Sequence, residues 1–125
     1  MGRGALGHAG DRPVALPGAL AAELARPDRR VLAMMGDCSF LMNSHELATA
    51  VRERVLLVVL VLVDREYGLI TWKTELEPGR RSHTRFTVPD LVAYAESFGA
   101  RGYAIETAEQ LLPVPRRALD EAGSP

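Results

Sequence analysis

The stretch Val55–Val63 reads VLLVVLVLV, nine apolar residues in an unbroken run, and it ends on the carboxylate of Asp64. Nine residues are too few to cross a bilayer as a helix. Five of the nine are valine, and β-branched side chains on an uninterrupted apolar segment predict a strand buried on both faces. Strands of that kind belong to parallel sheets covered by helices. The run therefore fixes the expected class: α/β, a parallel sheet with helices on both faces.

The rest of the chain is read around that strand. Residues 1–13 (MGRGALGHAGDRP) are rich in Gly and Arg, lack a hydrophobic period, and are expected to be a flexible arm ahead of a domain spanning 14–125. Val14–Ala25 predicts a helix and Val31–Met35 a strand. Asn43-Ser-His-Glu46 resembles a capping box and predicts a helix over about Ser44–Arg54. A helix is expected over Glu66–Leu76, a loop over Glu77–Thr87, and a further helix from Pro89 to Phe98, closed by Gly99. Tyr103–Glu106 predicts a third strand, and Thr107–Ala122 a helix weakened in the middle by Pro113 and Pro115. Three strands make a thin sheet, and an incomplete domain is the expectation.

Composition excludes several classes. With 15 basic and 16 acidic residues, the net charge of −1 carries no footprint for nucleic acid or an anionic membrane. The pairs Arg29–Arg30, Arg80–Arg81 and Arg116–Arg117 are far apart and read as surface. One cysteine rules out an internal disulfide. The N-terminus has no apolar stretch of the secretory kind, so a cytoplasmic home is the default. Gly2–Gly7 matches the GxGxxG pattern but follows no strand, so its mechanical context is wrong. His8, His45 and His83 lack metal-ligand spacing. Met34, Met35 and Met42 read as core filler, and Leu69 and Trp72 as packing residues rather than a substrate mouth.

In an open parallel sheet, ligands bind beyond the carboxyl ends of the strands. Asp37 and Asp64, 27 residues apart, each follow a strand. Two converging carboxylates repel unless a cation lies between them, and hard oxygen donors suit Mg²⁺ shared with phosphates. Gly36 relaxes the backbone of the turn, and the amides of Cys38 and Ser39 are placed to face an anion. From the residues alone, two readings stand level: a diphosphate held through Mg²⁺, or a plain strand-to-helix turn with Asp37 as a solvated cap. Cys38 reads as a small side chain in a tight turn in preference to a reactive thiol.

Two segments carry a resemblance. Gly36-Asp37-Cys38-Ser39-Phe40 and Val63-Asp64-Arg65-Glu66-Tyr67-Gly68, with VPDLVAYAESFGARGYAIETAEQLLP downstream, resemble the C-terminal cofactor-binding domain of thiamine-diphosphate-dependent enzymes, most of all the acetolactate synthase group. The resemblance covers about Ala15–Leu119 and looks like a truncated fragment of such an enzyme. It implies that Asp37 and Asp64 bind Mg²⁺ through their side chains and Glu66 through its backbone carbonyl. It further implies that Gly36, Cys38 and Ser39 cradle the diphosphate, while Tyr67-Gly68 close the loop beside it. Cys38 stands where the family has Gly or Ala, and Val63 where it has Asn. In the family the thiazolium carbanion attacks the keto carbon of pyruvate, carbon dioxide leaves, and the resulting enamine adds to a second 2-oxo acid. The activating glutamate comes from a separate pyrimidine-binding domain, which nothing in this chain matches. A partner subunit or a homo-oligomer is implied. The competing readings are a non-catalytic, diverged fragment and, more weakly, a receiver- or phosphatase-like domain, against which the position of Lys73 counts.

Overall fold

The computed structural model describes the backbone of residues 5–8 and residues 14–68, 70–71 and 84–122. The order of elements is β1 (Ala5–His8), α1 (Ala15–Ala25), β2 (Val31–Gly36), α2 (Asp37–Asn43), α3 (Glu46–Arg52), β3 (Leu57–Leu62), α4 (Leu91–Ser97), a 3₁₀ turn (Ala108–Gln110) and α5 (Pro113–Ala122). The three strands form one parallel sheet in the order β1-β2-β3. Parallel neighbours need crossovers, which α1 and the α2–α3 pair supply. The α/β class read from the apolar run holds.

The strand expected at Val31–Met35 is present as β2 and buries alternate residues. Val31, Ala33 and Met35 are buried on one face, and their register partners on β3 are Leu57, Val59 and Val61. Onto that face pack Leu16 and Ala19 of α1, Phe40 of α2 and Leu47 of α3. α4 closes the cluster with Leu91, Tyr94, Ala95 and Phe98. The Tyr94 ring meets Phe40 edge-on, with centroids 6.3 Å apart, and its hydroxyl lies 2.8 Å from Ser44 Oγ. A buried tyrosine hydroxyl needs such a partner.

Several sequence expectations are corrected. Ala5–His8, expected inside a flexible arm, pair in parallel with Val31–Met34. The helix expected over about Ser44–Arg54 is present as α3, Glu46–Arg52, but His45 at its N-cap makes no side-chain capping bond, a separate helix α2 precedes it, and Ser44 turns its hydroxyl towards Leu41 O and Tyr94. β3 is half-buried rather than enclosed on both faces, because it stands at the edge of the described sheet. Tyr103–Glu106, expected as a third strand, pairs with no strand among the described residues. Pro113 and Pro115 sit in the first turn of α5, where a missing N–H costs nothing, so they start the helix instead of weakening it. Asp90, not Pro89, opens α4, its carboxylate accepting from the amides of Val92 and Ala93. Gly99 ends that helix at φ +88°, a conformation that favours glycine. The expected helix over Glu66–Leu76 is described only as a helical turn at residues 68, 70 and 71. Leu69, Trp72, Lys73 and His83 lie outside the residues whose surroundings are described, as do the side chain of His8 and most of the Glu77–Thr87 loop.

Two contacts hold the 101–106 segment in place. Gly102 packs against α4 so closely that a Cβ there would lie 2.7 Å from Val92 Cγ1 and 3.0 Å from the Val92 backbone. Gly102→Ala is expected to force a backbone shift and cost about 1–3 kcal/mol, read from the urea midpoint. On the other side, Glu121 of α5 accepts from Arg117 Nε at 2.6 Å, Tyr103 OH at 2.5 Å and Arg101 Nη1 at 3.2 Å. The Arg117 bond foremost, and then the Tyr103 hydroxyl, hold the Glu121 carboxyl down at about 2. A carboxyl depressed on folding stabilises fully above its unfolded value, near 4.5, and loses that contribution as pH falls towards 2. Glu121→Gln is therefore expected to lower the urea midpoint at pH 7, with the gap to the parent narrowing between pH 4.5 and pH 2.

Candidate functional site

The site follows from the register. Gly36 is paired with Leu62 at the carboxyl ends of adjacent parallel strands, so the residues that follow each strand emerge side by side. The sequence then breaks both strands abruptly. Asp37 enters a helix at once, while Val63 and Asp64 turn into a loop.

Asp37 is the centre of the arrangement. It is 1% exposed, the most buried polar residue among those described. Its Oδ1 accepts the amide of Cys38 at 2.7 Å, and its Oδ2 accepts the amide of Arg65 at 2.8 Å. One carboxylate thus bridges the turn after β2 and the loop after β3. Each carboxyl oxygen thus accepts one backbone amide and has a further lone pair left over. The reading of Asp37 as a solvated cap is overturned by its burial.

The second strand end is organised around Asp64, which is exposed and whose Oδ1 accepts the amide of Glu66 at 3.1 Å. Between them Arg65 adopts φ +60°, a left-handed conformation unusual for a residue with a side chain. Glu66 forms an antiparallel bridge with Arg85; Tyr67 N donates to Thr84 O at 2.9 Å, and Phe86 N to Arg65 O at 3.2 Å. Tyr67 leans on Phe86, with ring centroids 4.9 Å apart. Its phenol is pushed up by the neighbouring Cys38 side chain first, then by burial and by Asp37. Gly68 closes the loop; a Cβ there would sit 3.6 Å from Asp64 Oδ2.

The structure brings Asp37, Cys38, Asp64, Glu66, Tyr67 and Gly68 together around the two strand ends. The Cys38 amide, expected to face an anion, instead donates to Asp37; Ser39 keeps a first-turn amide that has no acceptor within its helix. Sequence reasoning missed Arg65, Thr84 and Phe86 as partners of the site. The Thr84-Arg-Phe-Thr87 alternation was the available signal.

The residues fit a metal-held diphosphate. A Cβ built on Gly36 would meet no atom within 4 Å, so the turn opens onto free space rather than onto the chain itself. The carboxylates of Asp37 and Asp64 at the strand ends are hard oxygen groups, and Mg²⁺ typically takes one or two carboxylates and completes its octahedron from phosphates and water. Among the described residues, no three His, Cys, Asp or Glu side chains gather as a metal cluster, and no helix is long and apolar enough to cross a membrane.

Known proteins with the same pattern are informative. Residues 4–125 match the family described as thiamine pyrophosphate enzyme, C-terminal TPP binding domain. The match begins well ahead of Ala15, where the sequence resemblance was placed, and takes in β1. The catabolic acetolactate synthase of Raoultella terrigena is 41% identical over 110 residues, covering 88% of this chain and 20% of that protein. The acetolactate synthase of Bacillus subtilis (strain 168) is 38% identical over 110 residues, again 88% of this chain and 19% of the relative. The chain spans about a fifth of the length of these relatives. A solved thiamine diphosphate-dependent 4-hydroxybenzoylformate decarboxylase from Rhodococcus jostii RHA1 superposes with a TM-score of 0.80 at 30% identity, over 89% of this chain and 21% of that one. The strand ends, the buried carboxylate and the matched span agree: the chain belongs to the thiamine pyrophosphate enzymes and carries their C-terminal cofactor-binding domain, whose cofactor is thiamine diphosphate.

Proposed function

We propose that this domain anchors thiamine diphosphate through Mg²⁺ for an acetolactate-synthase-like enzyme acting on 2-oxo acids such as pyruvate. The observation that carries the reading is the buried Asp37 carboxylate, held between the amides of Cys38 and Arg65 where two parallel strands end. Asp37 and Asp64 would hold Mg²⁺ through their carboxylates and Glu66 through its backbone carbonyl. Gly36, Cys38 and Ser39 would line the diphosphate, and Tyr67-Gly68 would close the loop over it. When bound, the cofactor supplies the nucleophilic carbon for decarboxylation and carboligation of the 2-oxo acid. The chain's own share is to hold the charged end of the cofactor and to keep the loop after β3 against the turn after β2.

Activity is proposed to need a pyrimidine-binding domain, on another chain or in a homo-oligomer, to supply the activating glutamate. A cytoplasmic home is proposed with it. The names of the acetolactate synthase relatives support the substrate class.

A second reading is a non-catalytic, diverged fragment. It is favoured by Cys38, a part-buried side chain in the turn, and by Val63, half exposed beside the loop. Equilibrium dialysis separates the two. The first reading expects thiamine diphosphate to be retained with Mg²⁺ and released by chelator, with thiamine itself not retained. Equal retention of thiamine, or no dependence on Mg²⁺, favours the fragment.

A further inference from the structure

We infer that the carboxylate of Glu66 is a positioning residue, which clips the loop after β3 to Thr84–Phe86 and so sets how tightly the site takes Mg²⁺ and thiamine diphosphate. The inference rests on the reading of the site proposed above and adds a role to a side chain that reading leaves unused.

Glu66 gives its carboxylate to the structure around the loop. One oxygen, Oε1, accepts from Thr71 Oγ1 at 3.0 Å and from Thr84 Oγ1 at 3.3 Å, and faces Arg85 Nε at 3.9 Å. Thr84 is itself buried, at 9% exposure, and its carbonyl takes the amide of Tyr67. The same few residues therefore meet twice, once through side chains and once through the backbone bridge of Glu66 with Arg85. On its other side, the amide of Glu66 is held by Asp64. The residue is pinned from both flanks, with its left-handed neighbour Arg65 bound to Asp37.

Such pinning has a physical use. Groups that hold a metal ligand in place typically alter metal affinity by about 10–100-fold when removed. A strained, exposed loop that carries two metal-binding groups loses affinity if it must be ordered by the ligand. Thr71, Thr84 and Arg85 approach Glu66 from outside the loop, so its order does not depend on a bound ion.

The test uses the full 125-residue chain and dialysis against thiamine diphosphate at fixed concentration, with Mg²⁺ varied. Glu66→Ala is expected to raise the Mg²⁺ concentration for half-maximal retention about tenfold or more. Glu66→Gln keeps an oxygen that accepts both hydroxyls and is expected to stay within about threefold of the parent. Adding Thr84→Val to Glu66→Ala should cost less than the two separate effects combined, because the partners are shared. A lower unfolding temperature for Glu66→Ala with an unchanged Mg²⁺ midpoint would mean a merely structural role and overturns the inference. So does a Glu66→Gln variant as impaired as Glu66→Ala. A parent chain that retains no thiamine diphosphate at any Mg²⁺ concentration removes the site reading and this inference together; a binding parent with unaffected variants removes this inference alone.

Discussion

Asp37→Ala is expected to abolish the Mg²⁺-dependent retention of thiamine diphosphate and to destabilise the unliganded chain by about 2–4 kcal/mol. Both effects have one cause. The carboxylate bonds both the turn after β2 and the loop after β3, and its removal leaves the amides of Cys38 and Arg65 without their acceptor. Hydrogen bonds to charged groups contribute about 1.5–3 kcal/mol each, and the exposure of Arg65 lets water recover part of the loss. Asp37→Asn separates the two consequences. Its amide oxygen still accepts one bond, so stability should return in part, while the lost charge leaves Mg²⁺ dependence absent. Urea unfolding and dialysis on the same three proteins check the pair of claims. An Asp37→Asn chain that binds cofactor as the parent does would mean the carboxylate is not a metal ligand.

Phe40→Ala is the largest expected loss of stability, about 3–5 kcal/mol. Phe40 is 3% exposed and sits under α2, three residues beyond Asp37, with the Tyr94 ring edge-on against it. Truncation removes the aromatic pair and leaves a cavity between α2 and α4. Against a total of about 5–15 kcal/mol for a domain of this kind, the loss is a large share. Met42→Ala on the same helix serves as the control. Met42 is 53% exposed and should change stability by no more than about 0.5 kcal/mol. Equal losses in the two variants, measured by urea midpoint, would contradict the assignment of the core.

How much of this was legible beforehand depended on where each residue's partner lies along the chain. β2, β3 and α1 announce themselves through local pattern: a short apolar segment at Val31–Met35, the apolar run ending at Asp64, and an Ala/Leu-rich segment. That Asp37 and Asp64 follow the ends of neighbouring strands was legible from two apolar runs that each end in a carboxylate. β1 was not legible, because Ala5–His8 has no period of its own and is a strand only through its register with β2. α2 was hidden because a seven-residue helix that opens on Asp-Cys-Ser looks like a turn. Tyr103–Glu106 has the composition of a strand, yet its packing is fixed by Gly102 against Val92 and by Tyr103 on Glu121 rather than by a sheet partner. The bracing of the loop after β3 was the least visible part. Thr84 and Phe86 lie 18 and 19 residues beyond the residues they brace, Glu66 and Tyr67, and the short Thr84–Thr87 pattern does not say what it pairs with.

The central claim is that this chain holds thiamine diphosphate through a metal at Asp37. Thermal unfolding of the parent and of Asp37→Asn, each with thiamine diphosphate in the presence and absence of Mg²⁺, tests it most directly. Cofactor at about a hundred times its dissociation constant adds roughly 2.7 kcal/mol, a rise on the order of 10 °C for a domain of this size. The expected result is that rise in the parent with Mg²⁺ only, and none in Asp37→Asn. A parent whose unfolding temperature is the same in all conditions, or an Asp37→Asn variant that rises with it, would contradict the claim.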